Sequence, residues 1–132
     1  MLTGPNTPAV PLLLRNVHVL DAQAGALLRN RSVLIEGETI RAVSDQPIEH
    51  AGARVVDGGG RVLMPGLIDC HVHCVASMLN LGRMASVPNV FAVLRAVPIL
   101  RGMLDRGFTT VRDAGGADWS LAEATRTGVI AG

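Results

Sequence analysis

Leu67-Ile68-Asp69-Cys70-His71-Val72-His73 is a strand-length apolar run, entered through Pro65-Gly66, and it limits the fold more than any other segment. A run without polar alternation is the pattern of a strand buried on both faces, as in parallel sheets flanked by helices. The sequence after it fits that setting. Asn89–Arg106 carries apolar residues at 90, 91, 94, 97, 100 and 104, close to a helical repeat. Pro88 suits the first turn of that helix, Pro98 predicts a kink within it, and Gly107 suits its end. Phe108–Val111 then reads as a second strand, and Ser120–Thr127 as a second helix stopped by Gly128. Strand, helix, strand, helix in that order predicts βα units with parallel strands.

The sequence before Pro65 has another character. Met1–Pro8 reads as a loose tail. Leu12–Leu20, Arg31–Glu36, Thr39–Val43, Arg54–Val56 and Arg61–Met64 are β-rich segments separated by turn signals at Asp21–Gly25, Gly37-Glu38 and Asp57–Gly60. They predict a small antiparallel β unit without a helix. Two domains follow, residues 1–66 and residues 67–132.

Composition excludes several classes of function. Trp119, Phe91 and Phe108 are the only aromatics in 132 residues, so the core must be aliphatic and no stacking platform for single-stranded nucleic acid exists. The net charge is +1 and the basic residues, all arginines, are scattered; no stripe for a phosphate backbone forms. The apolar stretch near the N-terminus contains Pro11 and lacks a basic flank, so neither a signal peptide nor a membrane span is expected. Cys70 and Cys74, in a strand, would lie about 13 Å apart, beyond the ~7 Å reach of a disulfide. Reduced thiols fit a cytoplasmic setting.

The residues that bear chemistry close the apolar run. Side chains two apart on a strand share a face, so His71 and His73 should project together, with Asp69 one step earlier on the same side. Two imidazoles on a rigid strand are a good start for a divalent metal site, zinc in the first instance. Asp69 is either an acceptor that orients a histidine or a further ligand. Arg112 and Asp113 end the second strand at the same rim and are candidates for substrate contact, or for a local ion pair. Cys70 and Cys74 fall on the opposite parity and should pack as small apolar groups. His18 and His50, in the β unit, are read as structural or exposed.

Pro65-Gly66-Leu67-Ile68-Asp69-x-His71-x-His73 resembles the first barrel strand of the amidohydrolase superfamily. Gly107-Phe108-Thr109-Thr110-Val111-Arg112-Asp113 resembles its second strand, especially in the imidazolonepropionase-like and prolidase-like branch. Asn16-Val17, Ile35–Ile40, Asp57 and Gly60 are similar to the N-terminal β segment of that family. The resemblance implies an α/β fold: a small N-terminal β unit, then the first two βα units of a (β/α)8 TIM-type barrel, incomplete in this chain. It implies one or two divalent metal ions, with His71 and His73 as the first two ligands. It also implies a metal-activated water that attacks the C–N bond of a small-molecule amide, cyclic amide or dipeptide. The family takes its other ligands from later strands: further histidines, often a carboxylated lysine, and an aspartate base. This chain contains no lysine and no histidine after His73. It is therefore expected to be the N-terminal portion of such a hydrolase and inactive alone, the complete enzyme being a homo-oligomer. Two other classes stand beside this reading: a non-catalytic half-barrel partner subunit, and a small structural zinc module built on the cysteines.

Overall fold

The computed structural model describes residues 10–132; the expected N-terminal tail, Met1–Pro8, lies outside them. The chain divides into two compact units, one ending at Pro65 and the other beginning at Gly66.

The first unit is a five-stranded sheet. It comprises β1 (Leu12–Asp21), β2 (Ala26–Glu36), β3 (Thr39–Ser44), β4 (Arg54–Asp57) and β5 (Val62–Leu63). β1 pairs antiparallel with β2, and β2 with β3. The β2–β3 hairpin closes on Gly37-Glu38, where Gly37 takes φ +58°, the positive φ that two-residue hairpin turns require. β4 and β5, however, run parallel to β1 along its other edge. The sheet is thus mixed, not antiparallel as local turn signals suggest. The loop from Gln46 to Ala53 is long enough to return the chain to the start of β1, and no turn residue encodes strand direction across such a loop.

β1 changes partner from β4 to β5 around Asn16, which adopts φ +54° at a register shift. Its free backbone groups are taken up there: Gly58 N–H donates to Arg15 O and Gly60 N–H to Asn16 O, each at 2.8 Å. Asp57 Oδ1 accepts from Asn16 Nδ2 and from Gly59 N–H, and these bonds hold its carboxyl below the usual range. The unit buries Leu13, Val17, Val33 and Leu34. His18 accepts the Asn30 N–H through Nδ1, and His50 Nε2 meets Glu36; both are structural.

The second unit contains β6 (Leu67–Val72), α1 (Leu81–Ala85), α2 (Asn89–Asp105), β7 (Phe108–Asp113) and α3 (Trp119–Arg126). β6 and β7 are parallel neighbours with α2 in the connection between them, a βαβ unit followed by a further helix. α2 runs through Pro98 without interruption and ends before Gly107, whose φ is +91°. Asp118 caps α3: its Oδ1 accepts the Ser120 N–H at 2.8 Å and also the Ser120 hydroxyl. The core consists of Val72, Cys74, Val75, Ala92, Ala96, Leu100 and Leu121. The apolar strand is therefore covered on one side only. Ile68 is 67% exposed, because this chain supplies helices to a single face of a two-stranded sheet. Among the described residues no helix is long and apolar enough to cross a membrane.

Candidate functional site

Val72 and Cys74 point into the helix-covered core, while His71 and His73 are exposed. Alternation of the strand thus sorts thiol and imidazole onto different sides. The two rings lie edge to face with centroids 5.2 Å apart, so the structure brings together the pair that strand parity predicts.

Each imidazole belongs to a different local arrangement. The His71 backbone N–H donates to Asp69 Oδ1 at 3.0 Å. His73 Nδ1 lies 2.9 Å from the carbonyl oxygen of Gly115. A carbonyl only accepts, so the neutral ring carries its proton on Nδ1 and leaves the Nε2 lone pair for a ligand.

Among the described residues the Asp69 carboxylate accepts from the His71 backbone and makes no hydrogen bond to either ring. A bulge interrupts the β6–β7 register between Asp69 and Val72, which resets the alternation. Asp69 instead lines a cleft with Val72, Met103, Arg106, Phe108 and Val111, the side of the strand that carries the buried residues. The expectation that it shares the histidine face assumed an unbroken ladder, and the extra residue in β6 removes that premise.

Arg112 is exposed at the end of β7. Asp113 is engaged by backbone: Oδ2 accepts the Cys74 N–H and Oδ1 the Gly115 N–H, both at 2.8 Å. Both oxygens are thus engaged by neighbouring loops. A Gly-Gly pair after a strand reads by itself as no more than a flexible loop. Asp-x-Gly is, however, a local signal for an Asx turn, in which the side chain bonds the N–H two residues on. Gly116, at φ +109°, also fits against Ala76, whose Cβ a side chain would meet at 2.9 Å.

Burial, and then the nearby Asp113 carboxylate, push the Cys74 thiol up to about 11. Cys74 is fully buried and Cys70 exposed, so the two sulfurs do not share a site. A cysteine-based zinc module needs its thiols to converge on one ion, and one thiol here lies in the core while the other faces outward. Among the described residues no cluster of three or more His, Cys, Asp or Glu side chains is arranged to hold a metal; the histidine pair stands alone.

Comparison with known proteins bears on the same segment. The amidohydrolase family model matches residues 62–132, more than half of the chain. A dihydroorotase from Geobacillus kaustophilus (strain HTA426) is 35% identical over 89 residues, covering 62% of this chain and 21% of that protein. An imidazolonepropionase from Rhizobium rhizogenes is 38% identical over 64 residues, 46% of this chain and 16% of that protein. A prolidase crystallised with N-methylphosphonate-L-proline is similar with a TM-score of 0.86 and 50% identity, over 92% of this chain and 30% of that one. The chain spans less than a third of each of these relatives. The matched region contains the Pro-Gly entry, the histidine pair and the parallel βαβ unit alike, and on that footing the chain belongs to the amidohydrolase family.

Proposed function

We propose that this chain supplies the first two metal ligands, His71 and His73, of a hydrolase that cleaves a C–N bond in a small amide or dipeptide. The chain is read as the β unit and first two βα units of a (β/α)8 barrel. The observation that carries the proposal is the paired rings at the C-terminal end of β6, one of them tied through Nδ1 to Gly115. Strand ends of this kind carry the chemistry in such barrels.

The donor set fits a divalent ion. Two imidazoles sharing one tetrahedral zinc at Zn–N of about 2.0–2.1 Å have ring centroids about 5 Å apart, and the pair here is at 5.2 Å. Exposure of both rings agrees with a sheet of two strands, whose open face later strands would enclose. When bound, the ion supplies the Lewis acidity that activates water for attack on an amide carbonyl. The residues of this chain would hold and orient it: His71 and His73 would present nitrogen donors, and Gly115 O would keep the His73 proton on the nitrogen away from the ligand side. The remaining ligands and the general base lie outside this chain's residues, so the chain alone should not turn over. The 50% identity to the prolidase makes Xaa-Pro dipeptides the first substrates to assay.

The test is titration of the 132-residue chain with zinc and with cobalt(II), read by calorimetry and by the visible spectrum of cobalt. Binding should disappear in His71→Ala and in His73→Ala and persist in the double variant Cys70→Ala/Cys74→Ala. Binding that survives loss of the histidines, or requires the cysteines, overturns the assignment. Hydrolysis of Xaa-Pro dipeptides and N-acyl amino acids is read on the polypeptide that carries this chain, with and without chelator. Turnover indifferent to chelator refutes the metal-dependent mechanism.

A further inference from the structure

We infer that Asp113 is the positioning residue that fixes the tautomer of His73. The inference deepens the metal-site proposal and rests on it only for its consequence, not for its geometry. The carboxylate of Asp113 bridges the ends of two neighbouring strands. Its Oδ2 accepts the N–H of Cys74, the residue after His73, at 2.8 Å. Its Oδ1 accepts the N–H of Gly115 at 2.8 Å. One backbone bond, Ala114 N–H to Val72 O at 2.9 Å, reinforces the same junction. The segments 72–74 and 113–115 are thereby locked side by side, and Gly115 O is held 2.9 Å from His73 Nδ1.

The linkage runs in one direction. Gly115 would have no fixed place for its carbonyl without the Asx turn that Asp113 closes, since glycine is the residue with the widest choice of backbone conformation. Cys74 would lose its partner on the other side of His73. A charged acceptor makes each of these bonds stronger than a neutral one would. The arrangement therefore orients a ligand imidazole through two backbone groups, a carboxylate acting on histidine at one remove. Among the described residues the His71 ring has no such hydrogen-bonded partner and meets the His73 ring edge to face.

The experiment is long-range nitrogen–proton NMR on metal-free, nitrogen-labelled protein, above the pH at which histidine is protonated. In the wild type, His73 should show the proton on Nδ1, whereas His71 should show no such preference. In Asp113→Ala and Asp113→Val, whose side chains accept neither N–H and which are each checked for retained secondary structure by circular dichroism, His73 should lose its bias. Zinc affinity should then fall by about ten- to a hundredfold. A wild-type His73 protonated on Nε2 overturns the inference without any variant. A folded Asp113 variant in which His73 keeps the Nδ1 proton overturns it equally. If the tautomer behaves as expected and zinc does not bind, the metal-site proposal fails and the role of Asp113 in orienting the ring stands.

Discussion

Gly66→Ala tests how the Pro-Gly entry sets up the strand that carries the histidines. A Cβ at Gly66 would lie 2.0 Å from Thr109 Oγ1, 2.4 Å from its Cγ2 and 2.7 Å from its Cβ. The last of these matters most, because rotating χ1 of Thr109 moves the first two atoms but not the third. Thr109 sits where β7 bulges between its pairings at Phe108 and Thr110. The chain is also fixed there by Leu67 N–H donating to Gly107 O at 2.8 Å. The backbone of Gly66 is outside the left-handed region, so alanine is conformationally permitted. By itself that exchange should stabilise by about 0.4–1 kcal/mol through the unfolded chain. The clash opposes it, and overpacking of this kind costs about 1–3 kcal/mol, so Gly66→Ala should destabilise on balance. In a Thr109→Gly background the clash is gone and the same substitution should stabilise. Urea denaturation of the four proteins of this cycle gives a coupling of about 2 kcal/mol, within the range for residues in contact. Equal effects of Gly66→Ala in the two backgrounds would refute the steric argument.

Two further outcomes follow from burial and charge. With native protein at pH 8, iodoacetamide should label Cys70 readily and Cys74 only after unfolding. Cys74 is fully buried, and a thiol at about 11 rather than 9.0 has a thiolate fraction lower by about a hundredfold; mass spectrometry of the labelled peptides, showing equal modification, would contradict the packing. Asp118 should titrate below the ordinary aspartate range, because the Ser120 hydroxyl and N–H stabilise its charged form. A depressed folded value means that its contribution to α3 is present above the unfolded value and is lost as pH falls through the folded one. Amide exchange at Ser120 and Leu121 should accelerate over that acidic window in the wild type and stay flat in Asp118→Asn, whose neutral side chain still caps; identical profiles would exclude the cap as the cause.

The parts of this molecule that a sequence states plainly are those set by nearest neighbours. α2 follows from the spacing of its apolar residues, and its C-terminal stop from Gly107. The pairing of His71 with His73 needs only that the alternation hold across Val72, and it does, with Val72 buried between two exposed imidazoles. Asp69 needed it to hold from further back along the strand, and the bulge before Val72 intervenes. The direction of β4 and β5 beside β1 was equally hidden, since it depends on a return across a loop rather than on any turn.

The aspartates show most clearly where local legibility ends. Asp21, Asp57, Asp69, Asp113 and Asp118 each accept an N–H from the residue two positions later. That habit is intrinsic to a short acidic side chain and readable at all five sites. Yet a carboxylate engaged locally can still accept elsewhere, and that further partner is decided by the fold. At Asp57 the Asn16 side chain donates to the same Oδ1 that accepts the Gly59 N–H; at Asp113 the other oxygen accepts the N–H of Cys74, 39 positions away. The same Asx turn thus closes a surface turn in one place and braces a prospective metal ligand in another. The difference lies in what runs past the carboxylate, the Asn16 side chain in one case and the end of a neighbouring strand in the other. An Asp-x-Gly after a strand therefore gains functional meaning only when the neighbouring strand end carries a histidine, a condition that pairs two motifs rather than reading either alone.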